Sequence, residues 1–126
     1  MAGLYRRTPG VGLDHLIWRG EIYDVDLGHP IGHEPAFVRP AMVVSSDVLN
    51  NSAADLVVVV PIGTTSYGLR SHVELEPGDS GLDHLSYARC DQIRVVSTDR
   101  IVTRRGIAAV EEIRAIDQAL RFILDL

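Results

Sequence analysis

Asp55-Leu56-Val57-Val58-Val59-Val60-Pro61 is the stretch on which the fold turns. Five apolar residues in a row, four of them β-branched and bounded by an acid and a proline, make a strand that leaves neither face for water. This strand is expected at the centre of the core, ending at Pro61. Upstream, residues 39–45 (Arg39-Pro40-Ala41-Met42-Val43-Val44-Ser45) become apolar and β-branched toward their end and read as a second strand. Ser46 or Asp47 can then cap one helical turn over residues 48–51. Still further upstream, residues 19–27 alternate, with Tyr23, Val25 and Leu27 on one face and Asp24 and Asp26 on the other, the pattern of a half-buried antiparallel strand. Between these two strands, Gly28-His29-Pro30-Ile31-Gly32-His33-Glu34-Pro35 carries two prolines and two glycines, which exclude it from a sheet and make it a loop.

Downstream, residues 72–76 alternate again and stop at the turn signal Pro77-Gly78-Asp79. Residues 86–96 predict one further strand, with Ile93, Val95 and Val96 as its apolar content, and a short strand is expected near residues 100–103. After Gly106 the period changes: Val110, Ile113, Ile116 or Asp117, Leu120 and Leu124 recur at helical spacing, which predicts a closing amphipathic helix. Five or six short strands followed by one packing helix give a mainly β (α+β) fold, a small barrel or a strongly bent sheet, because a flat sheet of this size exposes its edges. A chain of 126 residues supports one such core. Residues 1–16 show no sustained period and contain Pro9, Gly10 and Gly12, so they read as an arm preceding a domain at residues 17–126.

Composition narrows the function classes. No apolar run approaches the roughly 18 residues of a membrane helix, and the basic pair Arg6-Arg7 is not followed by a signal-peptide core, so a cytoplasmic location is expected. The lone Cys90 cannot form an intrachain disulfide, and no Cys/His spacing asks for a metal. A formal charge of −5 excludes binding of nucleic acid through bulk positive charge, so an anionic ligand must meet a local site. All twelve basic residues are arginine, each with a planar fork that can grip a phosphate, although a base-composition bias of the genome explains that usage as simply. Six of them lie between residues 89 and 114 against four acids, which marks a phosphate-friendly region to look for.

Individual candidates are weak when read alone. Arg39 starts a strand directly after the loop, and Pro40 forces it into an extended conformation; a surface ion pair with Glu34 or a neighbouring acid is the plainer reading. Pro61-Ile62-Gly63-Thr64-Thr65-Ser66 offers hydroxyls to an anion, or simply a turn that satisfies its own backbone. His29 and His33 share the loop with Glu34, and imidazole is the side chain that exchanges a proton near neutral pH, yet loop histidines are commonly just solvated. His15, His72 and His84 are scattered and receive no role, and Cys90 reads as a small buried hydrophobe.

Taken in order, several segments resemble one family. Arg19-Gly20-Glu21-Ile22-Tyr23-x-Val25-Asp26-Leu27, Gly32-His33-Glu34, Val38-Arg39-Pro40-Ala41-Met42-Val43-Val44-Ser45, Val60-Pro61-Ile62 and Asp91-Gln92-Ile93-Arg94 look like the MazF/PemK (Kid) toxins of bacterial toxin–antitoxin systems, from about residue 19 to residue 126. The resemblance implies a homodimer of small SH3-like barrels with a short helical turn after strand two and a terminal helix. It also implies metal-independent, cofactor-free cleavage of single-stranded RNA, often mRNA, at short sequences. In that chemistry a 2′-hydroxyl attacks the adjacent phosphate and leaves a 2′,3′-cyclic phosphate and a 5′-hydroxyl. A cognate MazE-like antitoxin would neutralise the chain, and operator DNA would be met only through that complex.

On this likeness Arg39 takes the family's key arginine and Glu34 its loop acid. The key threonine is expected directly after Pro61-Ile62, where this chain has Gly63, so Thr64 is assigned the role, with Thr65 in reserve. His33, His29, Thr65, Ser66, Gln92 and Arg94 are then expected to contact RNA. Arginine is a poor base at neutral pH, since holding a guanidinium deprotonated costs about 7 kcal/mol at roughly 1.4 per pK unit, so Arg39 is assigned to charge stabilisation and the proton to Glu34 or a loop histidine. Two rival readings share the barrel: a CcdB-like toxin that binds a protein such as gyrase, and a barrel that binds RNA or antitoxin but has lost catalysis at Gly63.

Overall fold

The computed structural model describes residues 16–34 and 37–126; the arm expected at residues 1–16 falls, apart from Leu16, outside them, as does Pro35. The elements run β1 (Glu21–Asp26), β2 (Val38–Val43), α1 (Asp47–Asn50), β3 (Leu56–Gly63), β4 (His72–Leu75), β5 (Ser86–Arg89), β6 (Arg94–Ser97), β7 (Ile101–Ile107) and α2 (Val110–Leu124). The pairing is antiparallel throughout, in the path β4-β5-β3-β2-β1-β7, with β6 also on β3. This is the strongly bent sheet with a covering helix; the path of hydrogen-bonded strands does not close into a complete barrel.

β3 is the hub, as its composition requires. Its first half pairs with β6 (Leu56↔Ser97 to Val59↔Arg94) and its last residues pair with β5 (Ile62↔Ala88, Gly63↔Tyr87). Val57 and Val59 pack on one face with Tyr23, Val25, Ala41, Val43, Val96 and Ile101, whereas Val60 and Ile62 pack on the other with Met42, Leu75, Ala88 and the α2 residues Ile116 and Ala119. Pro61 does not end the strand. It lies where β3 passes from β6 to β5, so its missing N–H removes no bond to either partner.

Three further expectations are corrected by packing. Residues 86–96 do not form one strand: Cys90–Gln92 winds into a 3-10 turn between β5 and β6, which lets the chain serve both halves of β3. The strand expected near residues 100–103 runs on to Ile107, because β1 pairs with it from Val25↔Ile101 to Glu21↔Ile107. In α2, Val110 and Leu124 are exposed; the buried stripe is Ile116 and Ala119, flanked by Ile113, Ala115, Leu120 and Ile123. Small Ala119 brings the helix close to the sheet, a choice that spacing of large residues alone does not reveal. Ser46, not Asp47, caps α1, its Oγ accepting from Leu49 N at 3.2 Å.

Four of the six arginines between residues 89 and 114 brace the fold. Arg104 Nε meets the buried Glu21 carboxylate at 2.5 Å, Arg105 meets Asp24 and Asp83, and Arg94 and Arg100 donate to the carbonyls of Leu27 and Asp26. Arginines committed to carboxylates and carbonyls of the fold do not form the phosphate-friendly surface that their density along the chain suggests.

Candidate active site

Strand register lays out the site. Alternate residues of a strand share a face, and Met42, Val60, Ile62, Val73, Leu75 and Ala88 all face α2. Arg39 on β2, Gly63 on β3, Tyr87 and Arg89 on β5, and His72 on β4 therefore belong to the opposite face. Continuing the Ala41↔Pro61 register by two residues sets Arg39 opposite Gly63, and His72 lies directly across from Arg89.

Gly63 explains the departure from the family pattern. A Cβ placed on it would stand 2.5 Å from Arg89 Nη2, 2.9 Å from Cζ and 3.0 Å from Nε. The Arg89 guanidinium thus rests on the bare backbone of Gly63, with Cζ 5.5 Å from the centroid of the exposed Tyr67 ring. Tyr67 meets the His72 ring edge to face at 5.9 Å, and His72 Nε2 lies 3.0 Å from Asp91 Oδ1. Among the described residues, the two buried side-chain nitrogens or oxygens without a hydrogen-bond partner are Arg89 Nε and His72 Nδ1, so both fall in this one cluster. Unsatisfied buried polar atoms are rare and costly, so their concentration sets this cluster apart from the rest of the sheet.

The cluster lines a groove of about 220 Å³ that also takes in Leu69, Gln92 and His33. Of the residues expected to contact RNA, His33 and Gln92 are thus brought together here. Thr64, Thr65 and Ser66 are exposed in the segment after β3, and Ser66 lines a neighbouring depression with Tyr67, Glu74 and Tyr87. Glu34 is engaged with its own loop: its Oε1 accepts from Ile31 N at 2.9 Å while its N–H donates to Ile31 O, which fixes the turn that carries His33. His29 instead packs edge to face on Phe37 at the base of the loop, 5.4 Å between centroids. Arg94 turns away to the Leu27 carbonyl at 3.3 Å. Arg39 is exposed at the start of β2.

Cys90 adjoins Arg89 but is buried, and burial first, with the Asp91 charge second, pushes its thiol up to about 12, so it is no nucleophile. Among the described residues no group of three or more His, Cys, Asp or Glu side chains is arranged to hold a metal ion. Sequence reasoning missed Arg89, Tyr67 and His72 because their meeting depends on the β3–β5–β4 register. One signal was available: an isolated glycine inside a strand often marks the close approach of another group.

Comparisons with known proteins place the chain in a family. Residues 18–124 match the family described as "PemK-like, MazF-like toxin of type II toxin-antitoxin system". Endoribonuclease MazF9 of Mycobacterium tuberculosis is 35% identical over 113 residues, covering 86% of this chain and 96% of that protein. Endoribonuclease EndoA of Bacillus subtilis is 28% identical over 112 residues, covering 88% and 97%. A solved endoribonuclease in complex with its cognate antitoxin, from a Mycobacterial species, superposes with a TM-score of 0.74 at 26% identity, covering 87% of this chain and 96% of its own. The match takes in every strand and both helices, together with the Arg39 strand, Gly63 and the Arg89–Asp91 turn, and on it the chain belongs to the PemK-like, MazF-like toxins of type II toxin–antitoxin systems.

Proposed function

We propose that this chain is a toxin endoribonuclease that cuts single-stranded RNA, in the cell mRNA, at short sequences and without a metal. The observation that carries the reading is the Arg89 guanidinium seated on Gly63 on the same sheet face as Arg39, beside a groove lined by His33 and Gln92. In a protein of formal charge −5, such donors are a local anion site rather than part of a basic surface.

The reaction is an internal displacement. A ribose 2′-oxygen attacks the adjacent phosphorus, the bond from phosphorus to the 5′-oxygen breaks, and the products are a 2′,3′-cyclic phosphate and a 5′-hydroxyl. Charge accumulates on the non-bridging oxygens, where Arg39 and Arg89 donate; Thr64, the first residue beyond β3, adds a hydroxyl. Each preorganised donor contributes about 3 kcal/mol in such a site. His33 takes the 2′-hydroxyl proton, the departing 5′-oxygen takes a proton from solvent to become the 5′-hydroxyl, and Glu34 acts by holding the turn of His33. Gln92, Thr65 and Ser66 bind flanking nucleotides.

The chain works as a cytoplasmic homodimer neutralised by a cognate antitoxin, and meets operator DNA only through that complex. The solved relative bound to its cognate antitoxin supports this assignment. Among the described residues no helix is long and apolar enough to cross a membrane. Incubation of the purified protein with a long RNA in EDTA tests the function. Cuts at defined sites ending in 5′-hydroxyls are expected, with large losses in Arg39→Ala and Arg89→Ala; gyrase arrest without cuts would establish the CcdB-like alternative instead.

A further inference from the structure

A phosphate held by Arg39 and Arg89 leaves the neighbouring base to find a seat of its own, because single-stranded RNA is bound with its bases unstacked and carried on aromatic rings. Several rings are committed elsewhere: Tyr23 is in the core, Phe37 meets His29, and Phe122 lies under Arg70 on α2. Tyr67 is exposed, but Arg89 lies over its ring and His72 meets it edge to face, so it stands as a wall. Beyond that wall is the second depression, of about 190 Å³, which shares Tyr67, Leu69 and His72 with the first groove and is bounded by Tyr87 and Glu74.

Register places Tyr87. It is half-buried on β5, two residues before Arg89, on the same side of the sheet and about 7 Å along the strand. Gly63 lies across from it on β3 and Glu74 on β4. The glycine sets no side chain beside the ring. Glu74 is exposed, and its charge turns phosphates away from the depression. An uncharged flat ring suits such a place: Leu69 adds apolar surface, and the Ser66 hydroxyl can donate or accept, so it imposes no hydrogen-bond pattern.

We propose that Tyr87 is the platform for the base of one nucleotide flanking the cleaved phosphate, so that the chain grips RNA one base beyond the groove that cuts it. The grip depends on ring area rather than on hydrogen-bond pattern. A purine is favoured there over a pyrimidine, while adenine and guanine are treated alike. This rests on the nuclease reading but concerns selection rather than cutting.

The test uses the full chain with a short RNA and with the DNA strand of the same sequence, which has no attacking hydroxyl and reports binding alone. An abasic site is moved through the DNA strand one position at a time. At one position, loss of the base is expected to weaken wild-type binding about tenfold, and a pyrimidine in place of a purine should cost less. The fluorescence of 2-aminopurine at that position should be quenched on binding. Tyr87→Leu keeps apolar bulk without the ring and should abolish both the abasic effect and the quenching, whereas Tyr87→Phe should retain both. An abasic effect that persists in Tyr87→Leu, its absence at every position in wild type, or discrimination of adenine from guanine as strong as that of purine from pyrimidine would overturn the proposal. Cleavage of the RNA with no Tyr87-dependent position would overturn this inference and leave the nuclease reading standing. Tyr87-dependent binding without any cleavage would do the reverse.

Discussion

Replacing Gly63 with alanine tests the seat of Arg89 directly. The new Cβ would lie 2.5 Å from Nη2, against the 3.5–4.0 Å of an ordinary contact, so the guanidinium must withdraw by roughly 1 Å. Gly63 is a β3 residue outside the left-handed region, so alanine strains no backbone and removes some freedom from the unfolded chain, worth about 0.4–1 kcal/mol in favour of folding. The atoms it meets are the far end of a flexible side chain. Stability should therefore change by less than about 1 kcal/mol, a few degrees in Tm. Activity should not be spared: a displacement of about 1 Å in a preorganised group costs on the order of 100-fold, or about 2.7 kcal/mol of transition-state binding. Single-turnover cleavage of a short RNA measures the loss, and calorimetry checks the fold. Arg89→Ala should lose as much, and the double variant should be no slower than Arg89→Ala, because both changes remove the same interaction. A Gly63→Ala protein that cuts within about threefold of wild type, or losses that multiply in the double variant, would refute the reasoning.

Other residues separate structural from catalytic roles. Arg39→Ala should lower kcat by about 100- to 1,000-fold, measured in the same cleavage assay. Arg94→Ala removes the bond to the Leu27 carbonyl and should lower stability by about 1 kcal/mol in chemical denaturation, with little effect on RNA affinity. Glu112→Ala should cost about 1–2 kcal/mol by the same measurement, since the Glu112 carboxylate accepts from both Ala109 N at the start of α2 and Glu76 N beyond β4. The Cys90 thiol is raised from 9.0 to about 12 in the fold, so the stability it confers is complete below pH 9.0 and drains away as pH climbs toward 12. Denaturation midpoints should fall over that range in wild type and fall less in Cys90→Ala, and iodoacetamide should label the cysteine only after unfolding.

The sheet was legible where pattern is local. The β-branched run at residues 56–60 and the alternation of β1 both form strands, with Tyr23 and Val25 buried as expected, but Leu56 is exposed and Val58 half-buried in the first, and Ile22 is buried on the other face of the second. What the sequence hid depends on partners distant along the chain. Pro61 reads as a terminator until one sees that β3 changes partners there. The arginines of residues 89–114 read together as a ligand surface until Glu21, Asp24 and two carbonyls are found to hold those at 94, 100, 104 and 105. At the site, His33 and Gln92 were found through family motifs and do meet in the groove. Gly63 looked like a lost threonine because the group that fills its space comes from β5, 26 positions later in the numbering (89 − 63).

The exchange of partners along β3 also sets a timetable for the newborn chain. β3 is flanked on one side by β2 and on the other by strands that end at Arg89 and Ser97, while β1 waits for β7 near the far end of the chain. Folds dominated by such remote pairings close slowly, because loop entropy must be lost before any contact compensates. A ribosome that has released only the first half of the molecule carries Arg39 and Gly63 but no Arg89 to rest on the glycine. The face that joins Gly63 to Arg89 therefore cannot form until β5 has left the ribosome and paired with β3.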